Sequence, residues 1–237
     1  MTLTDLRTRI YADGAELPGM LTLYREPFIK GFTTNPTLMR KAGISDYRGF
    51  AKSVLAEIRD RPISFEVFAD EFPEMERQAR EIRGWGDNVY VKIPVMNTQQ
   101  KPSYALIKTL SAAGVKLNVT ALMTLDQVRA VADALHGGAP SVVSVFAGRI
   151  ADTGVDPMPL MSEARQILSG VKDSELLWAS PREVLNIYQA DAVGCHIITA
   201  TNDLIKKLSL NGKDLTDFSL ETVKMFYDDA QAAGYTL

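Results

Sequence analysis

The sequence predicts an α/β protein, a single closed (β/α)8 barrel of the TIM-barrel type with an additional C-terminal helix. Short apolar runs recur along the chain, amphipathic stretches of helical period separate them, and eight such repeats fit into about 200 residues. Alternating strands and helices over short connections favour a parallel sheet with right-handed crossovers. A doubly wound open sheet is the alternative, but it usually has fewer strands, and no GxGxxG turn supports a dinucleotide-binding version.

Eight runs rich in β-branched and aromatic residues are expected to form the strands. In chain order they are residues 9–13, 31–35, 63–69, 88–95, 115–122, 141–148, 175–180 and 195–201. The whole chain, 1–237, is expected to form one barrel domain, with 215–237 as the C-terminal helix.

The stretches between the runs have the spacing of helices. In residues 46–60, the apolar side chains of Phe50, Val54, Leu55 and Ile58 fall on one stripe. Residues 103–114 and 125–138 have a similar stripe, and both stretches end at glycine, which commonly stops a helix.

Two connections have their own signals. Ser180-Pro181 is a typical helix entry and is expected to begin the helix after strand seven. Residues 14–31 form a longer, Pro/Gly-rich connection, and we expect them to hold a loop over one mouth of the barrel.

Composition excludes several classes of function. The formal net charge is −3, with 26 basic and 29 acidic residues well mixed, so no basic stripe marks a nucleic-acid or membrane surface. No run approaches the roughly 18 apolar residues of a membrane span, and the first 14 residues lack the apolar core of a signal peptide. The sequence therefore favours a cytoplasmic protein whose anionic ligands are small.

The few cysteines and histidines limit which disulfides and metal sites the chain can form. The single cysteine allows no intramolecular disulfide, and two histidines cannot build a three-histidine metal site. With no CxxC or HExxH pattern, we expect no dedicated transition-metal centre.

Strand alternation predicts which side chains enter the barrel. In "VYVKIPV" (89–95) the four aliphatic residues share one face, so Lys92 points inward. The same alternation turns Leu177 and Ala179 outward in strand seven and Trp178 and Ser180 inward. Polar residues expected in the lumen are Asp13, Asn35, Glu66, Lys92, Asn118, Thr120, Ser144 and Ser180. Structural barrel interiors are usually filled by Val, Ile and Leu, so this polar set indicates chemistry.

A sequestered lysine beside carboxylates is suited to imine chemistry. Burial in an apolar site favours the free amine of a lysine, and a free amine attacks carbonyls to form a Schiff base. The protonated imine is an electron sink that lets a neighbouring carbon–carbon bond break. Asp13 and Glu66 are candidates for proton transfer, and Thr120 for holding a water molecule. Each residue alone also has a structural explanation, as an ion pair, cap or turn residue.

Two arginines follow neighbouring strands. Arg149 comes just after strand six and Arg182 just after strand seven. Arginine binds phosphate oxygens through a fork of donors, and barrels often bind phosphate at this end. A solvated surface position is the alternative for each.

Several segments together resemble the transaldolase family of class I aldolases. They are "GFTTNPTLM", "VYVKIPV", "LNVTALMT", "SVFAGRIADTG", "ASPRE" and "GCHIIT", in this order across residues 9–205. The resemblance implies a (β/α)8 barrel that transfers a dihydroxyacetone unit from a ketose phosphate, such as sedoheptulose 7-phosphate or fructose 6-phosphate, to an aldose phosphate. It implies a lysine Schiff base and no cofactor.

The resemblance also implies a role for each candidate residue. Lys92 corresponds to the Schiff-base lysine, Asp13 to the acid/base on the sugar hydroxyl, and Glu66 and Thr120 to the pair that holds the catalytic water. The dihydroxyacetone moiety would contact Thr33, Asn35, Asn118 and Ser144. Phe146 would form the pocket wall, and the phosphate would bind Arg149, Ser180 and Arg182.

Two alternatives for the function remain open at this stage. A related branch, the fructose-6-phosphate aldolases, releases free dihydroxyacetone; it typically has glutamine and tyrosine where this chain has Glu66 and Phe146, which favours transaldolase. A non-catalytic barrel that binds sugar phosphates is the other. The chain length and last helix resemble small-subunit members, which predicts a homo-oligomer, a decamer or pentamer, with that helix packed on a neighbouring subunit.

Overall fold

The structure is a computed structural model that describes residues 3–237. Eight parallel strands close into a barrel in sequence order, with β8 pairing to β1. The strands are β1 (Arg9–Asp13), β2 (Ile29–Thr33), β3 (Ile63–Glu66), β4 (Val89–Pro94), β5 (Leu117–Leu122), β6 (Ser141–Val145), β7 (Ser174–Trp178) and β8 (Ile197–Thr201). The predicted (β/α)8 barrel is therefore confirmed, and the open sheet is excluded.

One or two helices separate each pair of successive strands. The helices are α1 (Leu17–Tyr24), α2 (Pro36–Lys41), α3 (Tyr47–Glu57), α4 (Phe72–Arg83), α5 (Tyr104–Ala112), α6 (Leu125–Leu135), α7 (Ala147–Ala151), α8 (Met158–Leu168), α9 (Leu185–Ala192), α10 (Asn202–Lys206) and α11 (Leu215–Ala233). Short 3-10 helices form at Leu3–Asp5 and Lys207–Leu210.

Local sequence explains where several helices begin. The Asn35 side chain accepts the N–H of Leu38 at 2.9 Å and Pro36 occupies the first turn, so α2 starts directly after β2. Asp46 caps α3 in the same way by accepting the N–H of Gly49. At α6, Thr124 and Gln127 form a reciprocal capping box. These caps hold the helix starts next to the carboxyl ends of the strands.

The chain divides into two compact units. The barrel unit extends to Ile205, and the second unit is Lys206–Leu237. In the second unit Asp214 accepts the N–H groups of Thr216 and Asp217 to start α11, and Gly234 ends it with a left-handed φ of 66°. No residue of α11 is buried. None of the helices in residues 3–237 has the length and apolar character that crossing a bilayer requires.

One prediction about side-chain direction is wrong. Leu177 and Ala179 face the barrel interior, where they cluster with Tyr11, Val142 and Ile197. Leu177 is paired in register with Ser144 of β6, and residues paired across strands share a face of the sheet. Trp178 therefore belongs to the outer face and is completely buried. The segment is apolar on both faces, so its sequence pattern could not fix the direction.

The predicted boundaries also need three corrections. Strand β2 begins at Ile29, and the expected loop in 14–31 is largely the helix α1. Ser180-Pro181 does not begin a helix, because α9 starts at Leu185. Instead, the side chain of Asn186 accepts the N–H groups of Arg182 and Glu183 at 2.7 and 3.1 Å. This holds the segment after β7 as an irregular loop at the barrel mouth.

Candidate active site

A cavity of about 540 Å³ opens at the carboxyl ends of the strands, the end of the barrel at which TIM-barrel enzymes carry their active sites. All twelve residues selected from the sequence line it: Asp13, Thr33, Asn35, Glu66, Lys92, Asn118, Thr120, Ser144, Phe146, Arg149, Ser180 and Arg182. Polar side chains from every strand except β7, and from the loops after β6 and β7, therefore meet around one space.

Lys92 lies in the middle of this arrangement. Its side chain is 8% exposed, and its Nζ lies 3.1 Å from Oε2 of Glu66 and donates to the main-chain oxygen of Thr34 at 2.9 Å. Register explains the ion pair, because Glu66 on β3 and Lys92 on β4 are directly paired. The carboxylate and the carbonyl offset the cost of burying an ammonium group in the barrel, on the side that faces the cavity.

A row of neutral polar groups continues from Lys92 across the next strands. Asn118 on β5 is paired with Lys92 in register. Its Nδ2 donates to the hydroxyl of Ser64 at 3.0 Å, and its Oδ1 accepts from the hydroxyl of Ser144 at 2.6 Å. Because all three side chains are buried and bonded to one another, the amide orientation of Asn118 is fixed.

Asp13, at the end of β1, is a second acidic residue in the cavity lining. Its Oδ1 accepts a hydrogen bond from the Thr33 hydroxyl at 2.7 Å, and Thr33 in turn contacts the hydroxyl of Thr199. Burial raises the pKa of Asp13, while Lys92 and the Thr33 hydrogen bond act against that rise by favouring the charged form. A buried aspartate whose pKa is raised in this way is suited to accept and return a proton.

Strand β5 carries an irregularity at the cavity. Its register with β6 shifts between Val119 and Leu122, and Ala121 has a φ of 67°, which is uncommon for a residue with a side chain. As a result both Thr120 and Ala121 line the cavity. The Thr120 hydroxyl is buried and has no hydrogen-bond partner among residues 3–237. A buried hydroxyl without a protein partner is suited to bind water or a substrate hydroxyl.

The cavity is basic at its exposed rim. Arg149 and Arg182 are both exposed, and Arg149 lies 5.7 Å above the ring of Phe146. Arg182 donates from Nε and Nη2 to the two carboxylate oxygens of Asp152. This contact lowers the pKa of Asp152 and raises that of Arg182, so both groups are charged.

Ser180 reaches the cavity through its backbone conformation. Its φ is 58°, so the chain turns sharply after β7 and the alternation of faces ends there. Gly148 allows this turn, because a Cβ at that position would lie 1.5 Å from the Ser180 carbonyl oxygen. The Ser180 position is inward, as predicted, but the reason is this turn and not strand alternation.

Sequence reasoning missed several residues that shape the site. Lys41, the last residue of α2, adds another cation to the lining, and Thr199 extends the Asp13 network. Thr34 contributes through its main chain, which no side-chain pattern reveals. Tyr47 and Asp152 act on Glu66 and Arg182 from outside the lining. Thr34, Asp152 and Thr199 lie within the quoted segments "GFTTNPTLM", "SVFAGRIADTG" and "GCHIIT", and Lys41 follows the first of these by two residues, so only Tyr47 had no sequence signal.

Metal ligation has no support in the described part of the chain. Within residues 3–237, no three His, Cys, Asp or Glu side chains come together in a group able to hold a metal ion.

Solved structures share the fold of this chain at low sequence identity. Dihydrodipicolinate synthase from Rhodopseudomonas palustris aligns with a TM-score of 0.56 at 14% identity, over 93% of this chain and 80% of that chain. KGPDC from Streptococcus mutans aligns with a TM-score of 0.59 at 9% identity, over 85% and 91%. At these identities the likeness shows the barrel fold alone.

Sequence comparison is more specific. The Transaldolase/Fructose-6-phosphate aldolase family model matches residues 10–237. A probable transaldolase of Hyphomonas neptunium is 35% identical over 230 residues, covering 95% of this chain and 98% of that protein. A probable transaldolase of Dehalococcoides mccartyi is 34% identical over 201 residues, covering 84% and 89%. The chain therefore belongs to the transaldolase/fructose-6-phosphate aldolase family.

Proposed function

We propose that the protein is a transaldolase that moves a dihydroxyacetone unit between phosphorylated sugars through a Schiff base on Lys92. The observation that carries this proposal is the buried Lys92 amine, 3.1 Å from Glu66, in a cavity whose rim is cationic. The family match and the names of the curated relatives support the same reaction class. Candidate donors are sedoheptulose 7-phosphate and fructose 6-phosphate.

The first half of the reaction forms the imine. The Lys92 amine attacks the C2 carbonyl of the ketose, and the resulting carbinolamine loses water to give a protonated imine. This step needs a proton donor to the departing hydroxyl. Glu66 is beside Nζ, and Thr120 offers the free hydroxyl, so a water molecule between them would carry the proton.

The second half breaks and remakes a carbon–carbon bond. Asp13 takes the proton from the C4 hydroxyl, the C3–C4 electron pair moves into the imine, and the aldose phosphate leaves as an aldehyde. The enamine that remains on Lys92 attacks the aldehyde carbon of the acceptor, and Asp13 returns the proton to the new hydroxyl. Hydrolysis of the imine then releases the new ketose phosphate and regenerates the amine.

Binding is divided between the two ends of the cavity. Thr33, Asn35, Asn118 and Ser144 would bind the hydroxyls of the dihydroxyacetone unit, with Phe146 as an apolar wall. Arg149, Ser180 and Arg182 would bind the phosphate, and the guanidinium groups supply charge-assisted hydrogen bonds there. Asn186 already occupies the Arg182 and Glu183 N–H groups, so the phosphate would rely on side chains at this loop.

The location, pathway and assembly of the enzyme are inferred from the same proposal. We infer a cytoplasmic enzyme of carbohydrate metabolism, in the pentose phosphate pathway, that needs no cofactor and works as a homo-oligomer, a pentamer or decamer. Exposed apolar side chains on the C-terminal helix support assembly through α11 on a neighbouring subunit. They are Leu215, Phe218, Leu220, Val223, Met225, Phe226 and Tyr227.

Acceptor dependence distinguishes transaldolase from the aldolase alternative. With fructose 6-phosphate as donor, we expect sustained turnover only when erythrose 4-phosphate is added, because Glu66 and Phe146 are the residues of the transferase branch. Lys92→Met should abolish this turnover, while Lys108→Met, on an exposed face of α5, should not. Coupled assays of both products measure the effect, and turnover without any acceptor would favour the aldolase.

The phosphate site predicts a change in KM. Arg182→Ala should raise KM for phosphorylated substrates by about tenfold to a hundredfold, the usual value of a charged hydrogen-bonding partner, with a smaller effect on kcat. The control is Arg48→Ala, which removes an ion pair with Glu81 between α3 and α4. Steady-state kinetics decide the point, and an unchanged KM removes Arg182 from the phosphate site.

The Asp13 network predicts a shift in pH dependence. Because burial raises the pKa of Asp13, its base form is lost at a higher pH than the value of about 3.9 for an ordinary aspartate. Thr33→Val removes a hydrogen bond that favours the ionised form, so the pKa rises further and the acid limb of kcat should move up by about 0.5 to 1 pH unit.

Thr33→Ser keeps the hydroxyl and serves as the matched control. Its kcat profile should overlay that of the wild type on the acid side. An acid limb that stays in place in Thr33→Val would show that Asp13 is not the group whose ionisation limits the reaction.

A further inference from the structure

Tyr47 contacts the backbone of Glu66 at the point where β2 and β3 separate. Its hydroxyl accepts the N–H of Glu66 at 2.8 Å and donates to the carbonyl oxygen of the same residue at 2.8 Å. Tyr47 is the first residue of α3, and nothing in its sequence position marked it as part of the site.

The regular ladder shows what these two bonds replace. Phe32 N–H donates to Pro62 O, and Thr34 N–H donates to Ser64 O, in the alternating pattern of parallel strands. One step further, Glu66 N–H would donate to Thr34 O. The carbonyl of Glu66 would then need an N–H at position 36, which is a proline and has none.

Tyr47 satisfies both Glu66 groups, and this leaves the Thr34 carbonyl available. Among residues 3–237, that carbonyl accepts from the Lys92 amine and from no backbone N–H. The carbonyl oxygen that accepts from Lys92 is therefore one that, in a regular parallel ladder, would accept from the Glu66 N–H.

We propose that Tyr47 is a positioning residue for the Schiff-base lysine: its hydroxyl takes over the main-chain bonds of Glu66 and so frees the Thr34 carbonyl to hold Lys92. The inference rests on the function proposed above for Lys92. Tyr47 acts on both groups of the Lys92–Glu66 pair, on Glu66 by fixing its backbone and on Lys92 through Thr34. Burial raises the pKa of Tyr47, so the phenol keeps its proton and remains a donor.

The ring of Tyr47 has a separate packing role. Its centroid lies 6.4 Å from that of Phe65, 5.6 Å from Phe68 and 5.8 Å from Trp85. Tyr47→Phe preserves this aromatic packing and removes only the hydroxyl, which makes it a clean test of the hydrogen bonds. Tyr24→Phe is the matched control, because the Tyr24 hydroxyl is bonded to Asp60 away from the cavity.

We expect Tyr47→Phe to lower kcat about tenfold, which corresponds to the loss of a buried hydrogen bond. KM should stay within about twofold of the wild-type value because the proposed phosphate and dihydroxyacetone contacts lie on other residues. Tyr24→Phe should match the wild type in both constants.

A second readout is independent of turnover. In Tyr47→Phe the Glu66 N–H is free to compete with Lys92 Nζ for Thr34 O, so the Lys92 amine is held less tightly and reacts more readily. Brief acetylation with acetic anhydride, followed by peptide mass spectrometry, should label Lys92 at least about threefold faster than in the wild type. Lys101 and Lys116, in the same digest, should be labelled at unchanged rates.

The outcomes separate the two proposals. If wild-type enzyme forms no imine with a ketose phosphate, the proposed function is wrong, while the acetylation ratio still decides the role of Tyr47. Equal acetylation of Lys92 in wild type and Tyr47→Phe overturns the inference about Tyr47.

A crystal structure of the wild-type protein needs no variant and covers the case in which Tyr47→Phe does not fold. Glu66 N within hydrogen-bond distance of Tyr47 Oη supports the inference. Glu66 N bonded to Thr34 O, with Lys92 held elsewhere, overturns it.

Discussion

The ion pair between Lys92 and Glu66 is the interaction on which the site depends. An ammonium group inside a barrel is expensive to desolvate, and here a carboxylate and a main-chain carbonyl compensate for that cost. The same contacts place the nitrogen at the base of the cavity with a proton acceptor next to it. The contacts of Lys92 with Glu66 and the Thr34 carbonyl therefore both stabilise the barrel interior and prepare the amine for the proposed chemistry.

Barrel closure supplies the geometry around this pair. Parallel pairing puts Glu66, Lys92 and Asn118 at one level on three successive strands. At two places the backbone departs from the regular alternation of side chains between the two faces of the barrel, and this brings residues to the cavity. Examples are the positive φ of Ala121 after Thr120 and the turn at Ser180 that Gly148 permits. Departures of this kind are costly and concentrate at functional sites, where the surrounding structure maintains them.

How far the sequence could predict the site depended on whether one face of a strand was polar. In β4, four aliphatic residues on one face made the inward direction of Lys92 unambiguous, and β3 and β5 placed Glu66 and Asn118 correctly. In β7 both faces are apolar, so Leu177 and Trp178 were assigned to the wrong sides. The contributions of Tyr47 and of the Thr34 carbonyl depend on contacts between main chain and distant side chains, which residue patterns do not encode.

The most direct measurement of the central claim is reductive trapping of the imine. Enzyme is incubated with fructose 6-phosphate without acceptor, reduced with borohydride, digested with trypsin and analysed by mass spectrometry. The account predicts one stable adduct, a dihydroxyacetone unit joined through a secondary amine to Lys92, which also blocks cleavage after that residue. No adduct, or an adduct on another lysine while Lys92 stays unmodified, would contradict it.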